Sequence, residues 1–504
     1  MGFFGNMALA IAPSWAAKRE RARLVAMHYR ASRLGQRSDS LRAASSDANV
    51  AGRDRARIAF YMRDMVRNSP FAARAQAVIA NNVVGDGIIP KININAPKQM
   101  KKAKKVLQKR ALRLIETSLD TTAIDWRGLQ NLYGLQRQAI NTIVEAGEVL
   151  IRRRDIALDE ADGKLPLKIE VMEPDFLDTS RRLAGVDGNE VRDGIEYDAN
   201  DRRVAYWLFS QHPGGEFRPG KFSVQSERVP ADQILHVFRP DRPGQERGIS
   251  WFTPVAEKLL NLDDYEDAQL MRQKIAACFA VFRKLGTDGE ASPELGETLT
   301  PGSIMDIGPD EEVTFGSPPV ASGDDQFKNT VLRASAVGMG LSYEALTGDL
   351  SGVNFSSARI GRLEMDRNIS SWQWLMMVPM LLQPMADWIL EAWAELDGEE
   401  FEASGLSEMI YRNDGFVTIT WVPPVRLLVD PAREFAALRE AVRSGFQSRQ
   451  GVVRQLGVDP ERLLQEQLQD KQQADDLGLP FDSDPRADVS RQAKGPDKED
   501  DGNE

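Results

Sequence analysis

Histidine and cysteine most often ligate metals, carry protons or attack substrates near neutral pH, and here they are scarce. The 504 residues hold His28, His212, His236 and one cysteine, Cys278. His236 stands between Leu235 and Val237 on an expected strand, where a packed, hydrogen-bonded imidazole is the ordinary outcome. One cysteine allows neither an intramolecular disulfide nor a paired-cysteine zinc site, so Cys278 reads as a small core residue in a chain suited to a reducing compartment. The chain has no GxxxxGK[ST] loop to cradle a nucleotide, no HExxH and no GxSxG elbow. Carboxylates crowd at Asp263, Asp264, Glu266 and Asp267 on an expected helix. Consecutive helical residues point in different directions and cannot converge on one cation, so these acids read as a solvated face. No catalytic residue, metal or cofactor is expected.

Three other groups of residues suggest contact rather than catalysis. Lys98, Lys101, Lys102, Lys104, Lys105, Lys109, Arg110 and Arg113 follow one another with no acid among them. They form either a solvated helical face or a surface for nucleic acid or an acidic partner. Between Lys284 and Asp324 the balance reverses, with Asp306, Asp310, Glu311 and Glu312 among nine acids set against Lys284 alone. Gly348, Asp349, Ser351, Gly352, Asn354 and Phe355 lie in a stretch with backbone freedom just before a helix. The net charge of −11 argues against a sequence-wide affinity for nucleic acid, which needs clustered cations, and still allows a protein that handles DNA without gripping it.

The elements that position these groups are α+β. Residues 1–50 form a basic arm. Helical spacing runs from Arg53 to Val84, is restarted at Ser69-Pro70, and stops at Gly85-Asp86-Gly87. A helix is expected over Trp126–Ala146, then strands at Glu148–Ile151, Leu165–Val171, Ile195–Leu208 as a hairpin, and Ile234–Phe238. Thr253 as cap and Pro254 at the first turn open a helix that the apolar stripe carries to Arg283, roughly 45 Å long. Further helices are expected over Gln326–Val337, with Gly338 and Gly340 ending it, over Ser357–Leu396 with a kink, and after Asp430-Pro431 and Asp459-Pro460. Pro379, Pro384, Gln373 and Asp387 argue that Trp372–Trp393 is a buried kinked helix, not a membrane span. Residues 481–504 read as a disordered tail.

From Gly194 onward the chain resembles the lambda-type tailed-phage portal family. The resemblance is carried by Gly194-Ile195-Glu196-Tyr197-Asp198, Arg203-Val204-Ala205-Tyr206-Trp207, the run Val229–Phe238, Arg239–Gln245 and Arg247-Gly248-Ile249-Ser250-Trp251, and it extends from about Arg53 to Leu464. It implies a ring of about twelve copies at one capsid vertex of a virion, assembled in the host cytoplasm, with double-stranded DNA passing through. It also implies a portal fold: a mixed wing (51–250), a first stem helix (251–283), a small β-containing clip (284–324), a second stem helix (325–340), a tunnel loop (341–358), a long kinked helix returning to the wing (359–429) and a helical crown (430–480). The implied partners are the terminase large subunit and head–tail connector or adaptor proteins on the clip acids, and the major capsid protein or scaffold. A separate terminase would hydrolyse ATP. An acidic passage would leave a duplex mobile, because each neutralised phosphate adds affinity. Two rivals stand beside it: a carboxylate–metal nuclease, opposed by the missing motifs, and another capsid or adaptor oligomer.

Overall fold

The structure, a computed structural model, describes residues 47–49, 54–95, 101–181, 185–215, 225–277, 281–284, 304–307, 324–352, 355–398, 417–424, 431–455 and 460–477. The chain divides into two compact units. The smaller comprises Met1–Val50 and Arg242–Gly244, and within it Asn49 Nδ2 donates to Gly244 O at 3.0 Å. The larger, Ala51–Asp241 with Gln245–Glu504, holds the helices and strands.

Helices α1 (Arg55–Asn68) and α2 (Pro70–Val83) are split at Ser69, whose extended backbone lets Pro70 open the second helix. Gly85 and Gly87 then turn the chain through positive φ, and a Cβ on Gly87 would lie 2.3 Å from Tyr133. Strand β1 (Ile89–Ile94) follows, then α3 (Lys101–Leu114) and α4 (Leu132–Ala146). The expected start of α4 at Trp126 is corrected to Leu132. Asp125 accepts from the N–H groups of Arg127, Leu129 and Gln130, curling residues 126–130 into a turn until Asn131 caps the helix.

Strand β2 (Glu148–Asp155) lies between β3 (Leu167–Met172) and β8 (Ile234–Phe238), antiparallel to both. Its side chains alternate between two cores. Val149 and Ile151 join the main core with α4, while Leu150 joins a second core under the four-stranded sheet β4 (Glu190–Arg192), β5 (Ile195–Tyr197), β6 (Arg203–Leu208) and β7 (Glu227–Pro230). The expected hairpin is the antiparallel pair β5–β6.

Helix α5 (Ala256–Ala277) is shorter at both ends than the Pro254–Arg283 rod expected, and its 22 residues span about 33 Å. Thr253 does not cap it. The Thr253 hydroxyl turns back to donate to Ser250 O at 2.7 Å, which winds the chain through turns anchored by buried Trp251 and Phe252. Beyond Ala277, Val281–Lys284 forms strand β9, paired in parallel with β10 (Ile304–Ile307), so a β-branched and aromatic run leaves the helix for a ladder. Helix α6 (Asp324–Met339) passes Gly338 and ends at Gly340, whose φ is +69°. Gly338 is kept small by packing, since a Cβ there would meet Val255 Cγ1 at 2.3 Å. Contacts of Val255 with Gly338 and of Glu266 with Lys328, the latter at 3.1 Å, set α5 and α6 antiparallel.

Helix α7 (Tyr343–Thr347) precedes a continuous rod of α8 (Phe355–Trp372), a π-helical stretch Gln373–Leu382 and α9 (Gln383–Leu396). The expected kink appears as this widened π stretch, which accommodates Pro379 without a break. Gln373 donates from within it to Val83 O at 2.9 Å, satisfying a carbonyl at the end of α2. Strand β11 (Val417–Val422) returns to pair with β1, and α10 (Pro431–Arg443), α11 (Arg449–Gln455) and α12 (Pro460–Leu477) follow. Among the described residues no helix is long and apolar enough to cross a membrane.

Candidate functional site

The most concentrated electrostatics in the fold lie where α4 gives way to β2. Gly147 ends α4 at φ +95° and puts Glu148 at the start of β2, buried beside His236 of β8 and Arg247. Arg247 Nε reaches Glu148 Oε1 at 2.8 Å, and its Nη2 also bonds that oxygen. Glu148 Oε2 accepts from Gly248 N and from His236 Nε2, both at 2.8 Å. An ionised carboxylate can only accept, so His236 carries its proton on Nε2. Arg247 Nη1 donates onward to Asp193 O at 3.2 Å, and Arg55 of α1 bonds Asp193 Oδ2 at 2.9 Å. Burial raises the Glu148 carboxyl, but Arg247 and His236 outweigh it and hold the group well below the usual carboxylate range. Burial pushes His236 down to about 4, so the imidazole is neutral near pH 7. The carboxylate is fully paired, and although His236 Nδ1 has no hydrogen-bond partner, all three side chains are buried and present no face to a substrate. This cluster clamps α1, β2, β8 and the β4–β5 turn together.

The clamp needs two glycines. A Cβ on Gly147 would sit 2.4 Å from Ile249 C, and one on Gly248 would sit 2.1 Å from Gly147 O. Gly248→Ala is therefore expected to destabilise the fold by about 2–3 kcal/mol. Gly361→Ala on α8, whose nearest atom is 3.9 Å away, should be neutral or slightly stabilising. Urea midpoints of the two variants check this; equal midpoints would refute the close approach.

A second carboxylate, Glu196 of β5, is fully buried and accepts from Arg228 Nε at 3.0 Å, Asn189 Nδ2 at 2.9 Å and Trp207 Nε1 at 3.2 Å. The segments Gly194–Asp198 and Arg247–Trp251 thus supply structural clamps. Nothing in the sequence singles out either carboxylate as an anchor: Glu148 meets His236 and Arg247 across 88 and 99 residues, and Glu196 gathers Asn189, Trp207 and Arg228 only once β4–β7 fold together.

Glu173, Asp175 and His212 place ligand atoms within 4.8 Å of one another at the edge of a cavity of about 480 Å³. Arg63 already occupies this group. Its guanidinium takes both oxygens of Asp175, at 3.1 and 2.5 Å, and lies 3.4 Å from Glu173. His212 Nδ1 accepts from Gly214 N at 3.1 Å, so its Nε2 proton faces Glu173 at 2.9 Å. With a cation in place and the imidazole proton directed inward, these residues suit no metal ion.

The loop expected to reach DNA is shorter than residues 341–358, because α7 takes 343–347 and α8 begins at Phe355. A local cause is Ser342, whose hydroxyl caps α7 by accepting from Ala345 N at 3.2 Å. Gly348 closes α7 at φ +74°, Thr347 Oγ1 accepts from Asp349 N at 3.1 Å, and Asp349 Oδ1 accepts from Ser351 N at 2.9 Å. The hydrogen bonds from Ser351 hold the exposed Asp349 carboxyl below its ordinary range. The tip is thus a tight, ionised turn with Leu350 exposed above a cavity of about 340 Å³ that Arg74, Glu344, Arg362 and Asp366 line. Asn354 lies outside the described residues, as do Asp310, Glu311, Glu312 and Cys278. Asp306 falls in β10. Lys101 opens α3, and Lys102 and Lys105 are exposed while Lys104 is half-buried. Of the acids on α5, Asp264 and Asp267 are exposed, whereas Asp263 and Glu266 are half-buried and Glu266 pairs with Lys328 of α6, so the solvated face is narrower than expected.

These features describe an α+β scaffold whose buried polar groups are spent on holding segments together. The family described as "Phage portal protein, lambda family" matches residues 34–373, and the chain belongs to this family of structural proteins. The "Probable portal protein" of Halomonas phage phiHAP-1 is 27% identical over 360 residues, covering 68% of this chain and 66% of that protein. "Portal protein B" of Escherichia phage lambda is 26% identical over 221 residues, 38% of this chain and 40% of that protein. The matched region therefore spans less than two thirds of either relative. A solved structure described as "Neck of native GTA particle computed with C12 symmetry" is 15% identical with a TM-score of 0.41, covering 81% of this chain and 94% of that one.

Proposed function

We propose that this chain is a portal subunit: copies close into a ring of about twelve at one capsid vertex of a virion. Double-stranded DNA enters and leaves through that ring. The observation that carries the reading is the family match over residues 34–373. The single chain also leaves Leu260, Leu270 and Met271 of α5 and Phe327 and Val337 of α6 exposed, apolar surface that neighbouring copies would cover. On this reading α5 and α6 are the stem, the β9–β10 region with Asp306, Asp310, Glu311 and Glu312 is the clip, and the helices after Pro431 are the crown. The clip acids offer docking to the terminase large subunit and to head–tail connector proteins, and the assembly forms in the host cytoplasm with capsid protein or scaffold. The chain itself hydrolyses neither ATP nor DNA. Negative-stain images and native mass spectrometry of the purified protein should show closed rings. A monomer at micromolar concentration under every salt condition would exclude a portal.

The turn at 348–352 is the part proposed to touch DNA, with its Asp349 carboxylate repelling phosphates so that the duplex stays mobile. Gly348 closes α7, so a deletion that spares the helix removes Asp349–Gly352. Rings should still form, while filled heads built from the variant should retain less DNA than wild-type heads. Full-length genomes retained at the normal rate would assign this turn to packing alone.

A further inference from the structure

Helix α3 has two opposite faces. Leu107, Ala111 and Leu114 recur at helical spacing and are buried, and Arg110 fastens the helix to the end of α9 by pairing with its buried C-cap residue, Asp397, through two bonds of 2.8 Å. Lys102, Lys105, Lys109 and Arg113 are exposed. At 100° per residue these four fall within a stripe about 80° wide, centred roughly 160° from the buried one. Arg110 makes the one ion pair of this helix among the described residues. Glu116, one turn beyond Arg113, is the first acid to follow. In a chain of net charge −11, four cations stand in a row with their helix anchored from behind.

We infer that this face of α3 binds the phosphate backbone of double-stranded DNA. Successive cations rise about 4.5 to 6 Å along the axis, so each ammonium or guanidinium can reach a separate phosphate of one strand. Lysine is a point charge well suited to phosphate, whereas the centres of protein–protein interfaces are depleted in lysine and built on aromatic and apolar anchors. Among the described residues, only Val106 and Leu112 flank the stripe as large exposed apolar side chains, which favours a nucleic acid over an acidic protein. A contact made to phosphates carries no base specificity. It also stands apart from the portal reading, since it requires neither a channel nor translocation.

The test uses the intact assembled protein and relaxed, covalently closed circular DNA, which cannot be threaded through a closed ring. Binding should be visible at low salt. With four phosphates neutralised per engaged helix, affinity should fall roughly 100-fold between about 50 and 200 mM salt. K105Q/K109Q should reduce the log–log salt slope to about half, whereas K105R/K109R should leave it unchanged. K102Q alone should remove about a quarter and serves if the double variant fails to assemble. Ring formation is scored on the same samples, so loss of rings speaks to the portal reading and the salt slope to this one. Wild-type protein that ignores closed circles, or glutamine variants with an unaltered slope, would overturn the inference. Capture of polyglutamate without capture of DNA would also overturn it, in favour of an acidic partner.

Discussion

Glu148→Gln is expected to destabilise the folded chain by about 3–5 kcal/mol, among the largest effects of any single change here. Glutamine keeps the shape of the side chain and leaves Arg247, 4% exposed, as a buried cation without its counter-charge. Arg247→Met should cost a similar amount for the mirrored reason. Glu148 would then keep only His236 Nε2 and Gly248 N as donors in a site without solvent. The pair itself adds much less net stability than either loss implies, because both charges surrendered their hydration to enter the core. The double variant Glu148→Leu/Arg247→Met should therefore cost clearly less than the two single changes added together. Part of the loss remains, since His236 keeps an Nε2 proton with no acceptor. Urea unfolding of the four proteins closes the cycle. Additive single costs of less than about 1 kcal/mol each would show that the cluster is not a clamp.

This clamp also marks where local sequence reading ends. Pro70, the period-two run Ile195–Leu208 and the apolar block Ile234–Phe238 announce their own elements, because proline geometry and alternating burial are properties of neighbouring residues. They do not announce partners. β1 pairs with β11 across more than 300 residues, and Glu148 meets Arg247 across 99. Nothing near either residue encodes those encounters. Two of the helix boundaries that differ from the local pattern do so for a related reason. Asp125 takes three backbone N–H groups that a helix from Trp126 would have used, and β10 draws Val281–Lys284 into a ladder that the helical stripe had claimed.

The candidate contact surfaces show the same division. The basic composition of α3 was plain, but its alternatives stayed open. Only the burial of Leu107, Ala111 and Leu114 reveals which cations face outward together. A turn does follow Gly348, but it is shorter than the composition of 341–358 suggests, because the caps of α7 and the start of α8 depend on local hydrogen bonds. Family resemblance supplies a reading that no motif does, since the role proposed here works through surfaces, and surfaces leave no fixed spacing in a sequence.

Acidification should weaken the fold well above the range where carboxylates usually titrate, and His236 is the cause. Burial pushes its imidazole from the ordinary 6.5 down to about 4, with Arg203 and Arg247 adding to the effect and Glu148 opposing it. In the unfolded chain the same histidine takes a proton near pH 6.5. Between pH 6.5 and 4 the unfolded state therefore binds the extra proton, and stability falls as pH falls, by about 3 kcal/mol over the window. Glu148 adds a later loss. Its folded value is held far below 4.5, so the stability it contributes is present above pH 4.5 and drains away as the pH drops further. Glu145 and Glu246, whose carboxyls burial raises, work the other way and soften the decline near pH 5. His236→Gln keeps an amide donor for Glu148 and removes the titrating group. Thermal unfolding of both proteins at one fixed concentration, from pH 7 to pH 4, separates the contributions. The variant should hold its midpoint nearly level down to about pH 5, while the wild type declines from about pH 6.5 and continues to lose ground to the variant down to about pH 4. Parallel profiles over the whole range would mean that His236 does not stay neutral in the folded chain, and the acid response would have to originate at other groups.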